Sequence, residues 1–309
     1  MKKVDSNDYR TSRVADLAPG HYADGSPLDD VRYLECKVIL KTDEFTSPKG
    51  FRKFGKLLAQ AADECGVEFD ASDAKHTRPA IREVIFLDTA DFRLYNNAFI
   101  LRRRVQFEDG FPVGEPEIVF KFRHPDQQRA AEVDVRPNLP GDFRIKFKAE
   151  ALPLKERIGG YRLLFSHNVE FPLSHAPVDG DRSAVAHLAE IFPALRSLER
   201  RDDDRVSLVN QTIVEEVLQD LGELDFGKGV TANANVALWR TRGEHLPLVG
   251  EFAFQAKFAT RNDVHDKARR RVAALFVRLQ QIAQAWVLPN ATKTGVVYRL
   301  KGNPPQAHE

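Results

Sequence analysis

Charged side chains alternate with apolar ones in several short segments of the sequence. The first segment runs from Tyr33 to Val38, where Glu35 and Lys37 are separated by Cys36. The same alternation recurs at Arg102 and Arg104, at Lys121 and Arg123, at Glu132, Asp134 and Arg136, at Arg144, Lys146 and Lys148, and at Glu251 and Gln255. Lys and Arg donate hydrogen bonds to phosphate oxygens, whereas carboxylates are ligands for divalent metals. These residue types therefore favour binding of a polyanion, a metal ion or both.

A period of two residues is typical of a β-strand, in which successive side chains point to opposite faces of the sheet. Each predicted strand thus has one apolar face and one densely charged face. If the sheet closes into a barrel with helices packed outside, the charged faces line its lumen. If the sheet stays open and antiparallel, helices cover one face and water covers the other. Composition alone favours the open sheet.

Three segments have the 3.6-residue periodicity of amphipathic helices. One begins at Pro48, after Ser47 in the N-cap position, and reaches Cys65. The others run from Asp181 to Leu195 and from Asn262 to Val287. Outside these segments we expect residues 1–29 to form a polar N-terminal arm, residues 30–301 the main domain, and residues 302–309 a C-terminal tail.

Composition excludes several classes of protein. The 309 residues carry 46 Lys and Arg against 45 Asp and Glu, a net charge of +1, which argues against general nucleic-acid binding. Two cysteines cannot form a disulfide scaffold or a zinc site. No apolar run approaches the roughly 18–20 residues of a membrane helix, and the polar N-terminus does not resemble a signal peptide. We therefore expect a cytoplasmic protein with no membrane partner; its oligomeric state is left open.

The charged motifs follow a defined order along the chain. They are Glu35-x-Lys37, Leu87-Asp88-Thr89-Ala90-Asp91, Leu101-Arg102-Arg103-Arg104, Lys121-x-Arg123, Arg129-x-x-Glu132-x-Asp134, an arginine cluster at 200–205, Glu251-x-Ala253-x-Gln255 and Thr292-Lys293-Thr294. This order resembles the CYTH branch of the triphosphate tunnel metalloenzymes over residues 31–300. The most specific part is FLDTADFRLYNNAFILRRR, from Phe86 to Arg104. The resemblance implies an α+β fold with a closed antiparallel eight-stranded β-barrel, the tunnel, and helices packed outside.

The resemblance also implies a role for each matching residue. The predicted phosphate-binding residues are Lys37, Arg102, Arg104, Lys121, Arg123, Arg201, Arg205 and Lys293. Glu35 and Glu251 would bind Mg²⁺ or Mn²⁺. Glu132, with Asp134 as its substitute, would orient or deprotonate the attacking water. The expected ligand is a triphosphate, a polyphosphate or a nucleotide.

Three positions depart from the family pattern. Tyr33 replaces the first Glu of the opening motif, and Ala253 replaces the second Glu of the late pair. An expected Asp before Glu251 is not clearly placed, since Asp225 is distant. With about half of its carboxylate ligands absent, the predicted site is suited to one metal ion rather than two.

Two functions of different class follow from these observations. The first is a triphosphate hydrolase that uses one divalent metal. The alternative is a non-catalytic module that binds polyphosphate or a nucleotide in a degenerate site, which the loss of carboxylates favours. An adenylate cyclase of the same superfamily ranks last, because no motif indicates a pocket for the base.

Overall fold

The structure is a computed structural model that describes residues 14–72, 74, 77–176, 183–199, 201, 203–260, 263–302 and 304. The described strands are β1 (Tyr33–Leu40), β2 (Glu68–Asp70), β3 (Ala80–Asp88), β4 (Phe99–Glu108), β5 (Phe111–His124), β6 (Arg144–Pro153), β7 (Tyr161–Pro172), β8 (Ser207–Leu208), β9 (Val214–Asp225), β10 (Thr231–Thr241) and β11 (Pro247–Lys257). The described α-helices are α1 (Pro48–Cys65), α2 (Arg93–Asn96), α3 (Gln127–Glu132), α4 (Val185–Ile191), α5 (Asp266–Ile282) and α6 (Lys293–Tyr298).

Nine of the strands form a closed barrel. Their order is β9-β10-β11-β1-β6-β7-β5-β4-β3, and pairing of β3 with β9 closes the ring. The short strands β2 and β8 extend the sheet outside it, on β9 and β3. All pairs in the ring are antiparallel except β1 with β6. The predicted closed barrel is confirmed, but the prediction of eight strands, all antiparallel, is wrong. Because the ring has nine strands, an odd number, strand direction cannot alternate at every junction, and one pair must be parallel.

The apolar faces of the strands point outward and are covered by helices. Cys36 and Val38 of β1 belong to a buried cluster with Phe54 of α1 and Leu275 of α5. The ring centroids of Phe54 and Phe252 lie 5.3 Å apart. Because side chains alternate along a strand, Glu35 and Lys37 must then point into the lumen.

A second apolar cluster fills one end of the barrel interior. Ile39, Phe86 and Ile100 share the inward-facing parity of the lumen charges on their strands, and they pack with Tyr95 of α2 and Tyr298 of α6. Tyr95 and Tyr298 stack with their centroids 4.0 Å apart. The charged part of the lumen is therefore bounded at this end by side chains that exclude water.

The predicted helices are present with changed limits. The helix from Pro48 to Cys65 is confirmed. The second shortens to α4, followed by a 3₁₀ turn at Pro193–Ser197, and its predicted start at Asp181 lies outside the described residues. The third shortens to α5; its predicted start at Asn262 is likewise not described. Among the described residues, no helix is both long and apolar enough to span a bilayer.

The predicted strand through Glu132, Asp134 and Arg136 is wrong. Glu132 is the last residue of helix α3, and Asp126 is the N-cap of this helix. The Asp126 side chain accepts a hydrogen bond from the backbone N–H of Arg129 at 2.9 Å. Asp is a favoured N-cap residue, and the sequence Gln-Gln-Arg-Ala-Ala-Glu consists of good helix formers. Local helix propensity outweighs the short alternating pattern here.

Truncation in the apolar end of the barrel should destabilise the whole fold. Phe86 is fully buried, with its ring centroid 5.8 Å from that of Trp239. We expect Phe86→Ala to lower the free energy of unfolding by about 3–5 kcal/mol in urea denaturation, because it leaves a cavity. Leu246→Ala is the control: this side chain is 54% exposed, and its loss should change stability by less than about 0.5 kcal/mol. Equal effects of the two substitutions would contradict the packing described.

Candidate functional site

The inward faces of all nine barrel strands enclose a cavity of about 280 Å³. Its cationic lining residues are Lys37, Arg82, Arg102, Arg104, Lys121, Lys146, Lys148 and Lys293. Its carboxylates are Glu35, Glu150, Glu170, Glu216 and Glu251. Eight cations thus face five carboxylates, and most of the charges are shielded from bulk water.

Glu150 of β6 is the most buried charge in the cavity, with 1% of its surface exposed. Its Oε1 accepts hydrogen bonds from Lys121 Nζ and Ser166 Oγ, both at 2.7 Å. Lys37 Nζ lies 3.1 Å away, and Arg123 Nη1 lies 3.9 Å from Oε2. Burial alone would raise the pKa of Glu150, but these cations together hold it well below its usual value. The carboxylate therefore remains ionised and fixes the positions of several cations.

The two lysines that share Glu150 differ in their electrostatic surroundings. Burial lowers the pKa of both, but Lys37 has a second carboxylate, Glu35 Oε2 at 3.0 Å, and its pKa is raised above the usual lysine value. Lys121 has Glu150 as its carboxylate and is repelled by Lys37 and Arg123, so burial dominates and its pKa falls to about 7. The cavity thus holds one permanently charged lysine beside one that can exchange a proton near neutral pH.

Lys148 of β6 forms hydrogen bonds across the cavity to strands β1 and β11. Its Nζ donates hydrogen bonds to Gln255 Oε1 at 2.7 Å and to Glu35 Oε2 at 3.2 Å. Burial would raise the pKa of Glu35, but Lys37 and Lys148 lower it to about 2. Both lysines on Glu35 therefore face a carboxylate that is charged at all physiological pH values.

Lys293, at the first position of α6, joins two carboxylates. Its Nζ lies 2.9 Å from Glu216 Oε1 and 2.7 Å from Glu251 Oε1. The same ammonium lies 4.7 Å from the centroid of the Trp239 ring, whose Nε1 donates to Glu216 at 2.8 Å. Arg82 also donates to Glu216, at 2.7 Å. Burial favours the neutral acid, but Lys293 and Arg82 hold the pKa of Glu216 far below its usual value.

A second group of charges surrounds Glu170 of β7. Lys146 Nζ lies 2.8 Å from its Oε2, Arg104 lies 3.5 Å from its Oε1, and Arg144 also pairs with it. Arg104 pairs with Glu117 as well. Burial would raise the pKa of Glu170, yet these cations lower it to about 2.

Arg102 differs from the other cavity cations. Within the described residues its guanidinium makes no hydrogen bond or ion pair, and its Nε is shielded from solvent without a partner. Burial, together with repulsion from Arg104, lowers its pKa to about 10. An arginine remains charged at neutral pH even so, and a shielded N–H of a charged group without a partner is costly. An anion in the cavity would satisfy it.

The structure brings seven of the predicted site residues together. These are Glu35, Lys37, Arg102, Arg104, Lys121, Glu251 and Lys293. Arg123 does not line the cavity, but it is buried beside Glu150 at its edge.

Four predicted site residues lie outside the barrel. Glu132 is on α3 and accepts a hydrogen bond from Gln128, while Asp134 pairs with Arg136 at 3.0 Å. Arg201 pairs with Asp91 at 3.0 Å, and the exposed Arg205 forms a one-residue bridge with Ala184. Glu132 leaves the sheet because α3 takes up residues 127–132. Arg201 and Arg205 follow α4 in the chain and belong to none of the nine barrel strands. A phosphate held in the cavity would meet none of the four.

Several cavity residues were not predicted as site residues. Lys146 and Lys148 lie on a predicted alternating strand, and Glu150 continues the same face, so extending that pattern by one step would have found it. Glu216 carries no such signal because Glu215 precedes it, and adjacent acids leave open which one faces inward. Its inward direction depends on pairing with Arg82 across the β3–β9 junction, which is decided only when the barrel closes.

The residues present do not fit the predicted metal ion. In the β1–β11 pairing, Glu35 lies opposite Gln255, whereas Glu251 lies opposite Ile39, four residues further along β1. Each carboxylate already binds a lysine ammonium. In the part of the chain that the structure describes, no three His, Cys, Asp or Glu side chains converge to hold a metal. The two carboxylates are therefore engaged as lysine ion pairs and do not form a site for Mg²⁺ or Mn²⁺.

No family model and no curated protein sequence matches the chain. Among solved structures, it is similar to HpAC1 from Hippeastrum, described as a candidate adenylyl cyclase with a dominant triphosphatase activity: 15% identity, 90% of this chain and 100% of that one covered, and a TM-score of 0.41. It is also similar to PH1819 from Pyrococcus horikoshii OT3, with 15% identity, 83% and 92% coverage and a TM-score of 0.31. A candidate adenylate cyclase from Bacillus halodurans has 10% identity, 85% and 95% coverage and a TM-score of 0.33. Similarity at this level of identity and TM-score does not indicate a function for this chain.

The contrast between Lys121 and Lys37 can be measured directly. We expect the ammonium of Lys121 to titrate with a midpoint near pH 7, and that of Lys37 to stay protonated beyond the usual lysine pKa of 10.5. Carbon-detected NMR of ¹³C-labelled lysine side chains, assigned with Lys121→Arg and Lys37→Arg, would follow both. If both lysines titrated together near pH 10.5, the described charge balance around Glu150 would be incorrect.

Proposed function

We propose that this chain is a CYTH-type tunnel protein that binds a triphosphate-containing anion inside its barrel. The observation that carries the proposal is Arg102, a cavity-lining arginine that no described side chain pairs and whose Nε is shielded from solvent. Arg matches phosphate oxygens because its planar fork donates several hydrogen bonds at once. The order of charged motifs from Glu35 to Lys293 supports the same proposal independently.

The charge balance of the cavity supports a ligand with several negative charges. Eight cations exceed five carboxylates, so an anion is needed to balance the lumen. At 4 Å and an effective dielectric of about 20, each pair of unit charges contributes roughly 4 kcal/mol before desolvation costs. Several cations that converge from different strands can therefore offset the cost of removing a polyphosphate from water.

The size of the cavity supports the class of ligand. Pockets for drug-sized molecules have volumes of about 300–1,000 Å³. At about 280 Å³ the cavity suits a short phosphate chain better than a whole nucleotide. A nucleoside or other organic group attached to the triphosphate would then lie outside the charged lumen.

Removal of Arg102 should weaken binding. We expect Arg102→Gln to reduce the affinity for tripolyphosphate about tenfold to a hundredfold in isothermal titration calorimetry, since hydrogen bonds to charged groups contribute about 1.5–3 kcal/mol. Arg103→Gln is the matched control, because Arg103 is the next residue of β4 and faces away from the cavity toward Glu83, at 3.7 Å. Equal affinities of the wild type and Arg102→Gln would refute the role of Arg102, and no binding by the wild type would refute the proposed function.

Hydrolysis of the bound phosphoanhydride is a second candidate, favoured by Lys121. Its pKa of about 7 allows the ammonium to give a proton to a leaving phosphate oxygen while water attacks the terminal phosphorus. The P–O bond to the bridging oxygen breaks, and a P–O bond to the water oxygen forms. One proton of the water stays on the released phosphate, and its second proton passes to solvent. Every carboxylate that lines the cavity among the described residues is in an ion pair, so none of them is free to act as a base.

Phosphate release would test this activity. If Lys121 is the acid, Lys121→Met should reduce the rate about 100-fold or more, as expected for loss of a general acid. The wild-type rate should fall as pH rises above about 7, because Lys121 then loses its proton. The rate of phosphate release would be measured by ³¹P NMR in three buffers, which contain EDTA, Mg²⁺ or Mn²⁺. Absence of phosphate release in all three conditions would eliminate hydrolysis and leave the binding proposal intact.

A further inference from the structure

Two lysine ammonium groups of the cavity occupy positions between paired carboxylates. Lys293 Nζ lies between Glu216 and Glu251, at 2.9 and 2.7 Å. Lys37 Nζ lies between Glu35 and Glu150, at 3.0 and 3.1 Å. A divalent ion in a carboxylate site also lies between such oxygens. Here the protein supplies a covalently attached cation at each of these points.

A metal ion could enter only by displacing a lysine. The displaced ammonium would stay in the same small cavity, where the divalent ion would repel it. The oxygens nearest the ammonium groups already accept charge-assisted hydrogen bonds, which are stronger than neutral ones. The arrangement therefore opposes metal binding at both carboxylate pairs.

The neighbouring positions add no negative charge. Ala253 and Gln255 follow Glu251 on the inward face of β11, and Asn235 lies opposite Ala253 on β10. Gln255 uses its Oε1 to accept the hydrogen bond of Lys148. This side of the cavity thus offers neutral groups and an ammonium where a metal site would need carboxylates.

We infer that the cavity binds the metal-free form of a triphosphate, with lysines held between carboxylates providing the neutralisation that a divalent ion would otherwise supply. The inference deepens the proposed function and rests on it. It identifies the ligand as an uncomplexed polyphosphate anion rather than a metal–polyphosphate complex. Mg²⁺ in solution should then compete with the protein for the ligand, because complexed Mg²⁺ cancels part of the charge that the cations recognise.

Calorimetry on the full chain with tripolyphosphate separates this inference from the proposed function. We expect binding in EDTA, and an apparent affinity about tenfold or more weaker when Mg²⁺ exceeds the ligand, equivalent to the loss of about one charge-assisted contact. Binding that requires Mg²⁺ or Mn²⁺ would overturn the inference and leave the proposed function standing. No binding in either buffer would overturn both.

A second measurement uses Mn²⁺ alone and does not depend on turnover. Electron paramagnetic resonance should detect no bound Mn²⁺ in the wild type, whereas Lys293→Met should gain a site because Glu216 and Glu251 lose their shared ammonium. Lys49→Met, on the exposed face of α1, is the control and should behave like the wild type. Circular dichroism would verify that the variants are folded. Tight Mn²⁺ binding by the wild type, or none by folded Lys293→Met, would overturn the inference.

Discussion

The structure depends on one electrostatic requirement, that charges enclosed in a barrel must face opposite charges. Removal of a carboxylate or an ammonium from water costs several kcal/mol, which only close pairing offsets. Glu150 illustrates the requirement, since it is almost fully buried and contacts Lys121, Lys37 and Arg123. The same requirement makes Arg102 informative, because it lines the cavity, its Nε is shielded from solvent, and it makes no hydrogen bond or ion pair among the described residues.

The fold meets this requirement by separating the two faces of each strand. Outward faces pack under α1 and α5 around residues such as Phe54 and Leu275, while inward faces carry the charges. At one end Phe86 and Tyr298 replace the charges with an apolar cluster. Water is thereby kept from the outer face and from one end of the charged layer, which strengthens the interactions there. The barrel thus brings charges from many strands together around one cavity.

Within that frame, similar residues acquire different properties from their neighbours. Lys37 and Lys121 share an oxygen of Glu150, yet one stays charged and the other has a pKa of about 7, because only Lys37 has Glu35 as a second partner. Lys293 likewise lies between two carboxylates. The number of carboxylates beside Lys37 and beside Lys121 therefore sets the direction in which the pKa of each ammonium shifts.

The sequence by itself determined most of the segments that are strands with a charged face, because the period of two residues is a local property of each strand. The order of its charged motifs, through the family resemblance, grouped Lys37, Arg102 and Lys293 as residues of one site, although Lys293 lies on a helix. Only the tertiary structure decided the nine-stranded closure, the inward position of Glu216 and the exclusion of Glu132, which lies on a helix. Strand register and ring closure bring together residues that are far apart in the chain. The ion pairs between lysines and carboxylates in the cavity therefore exist only in the folded barrel.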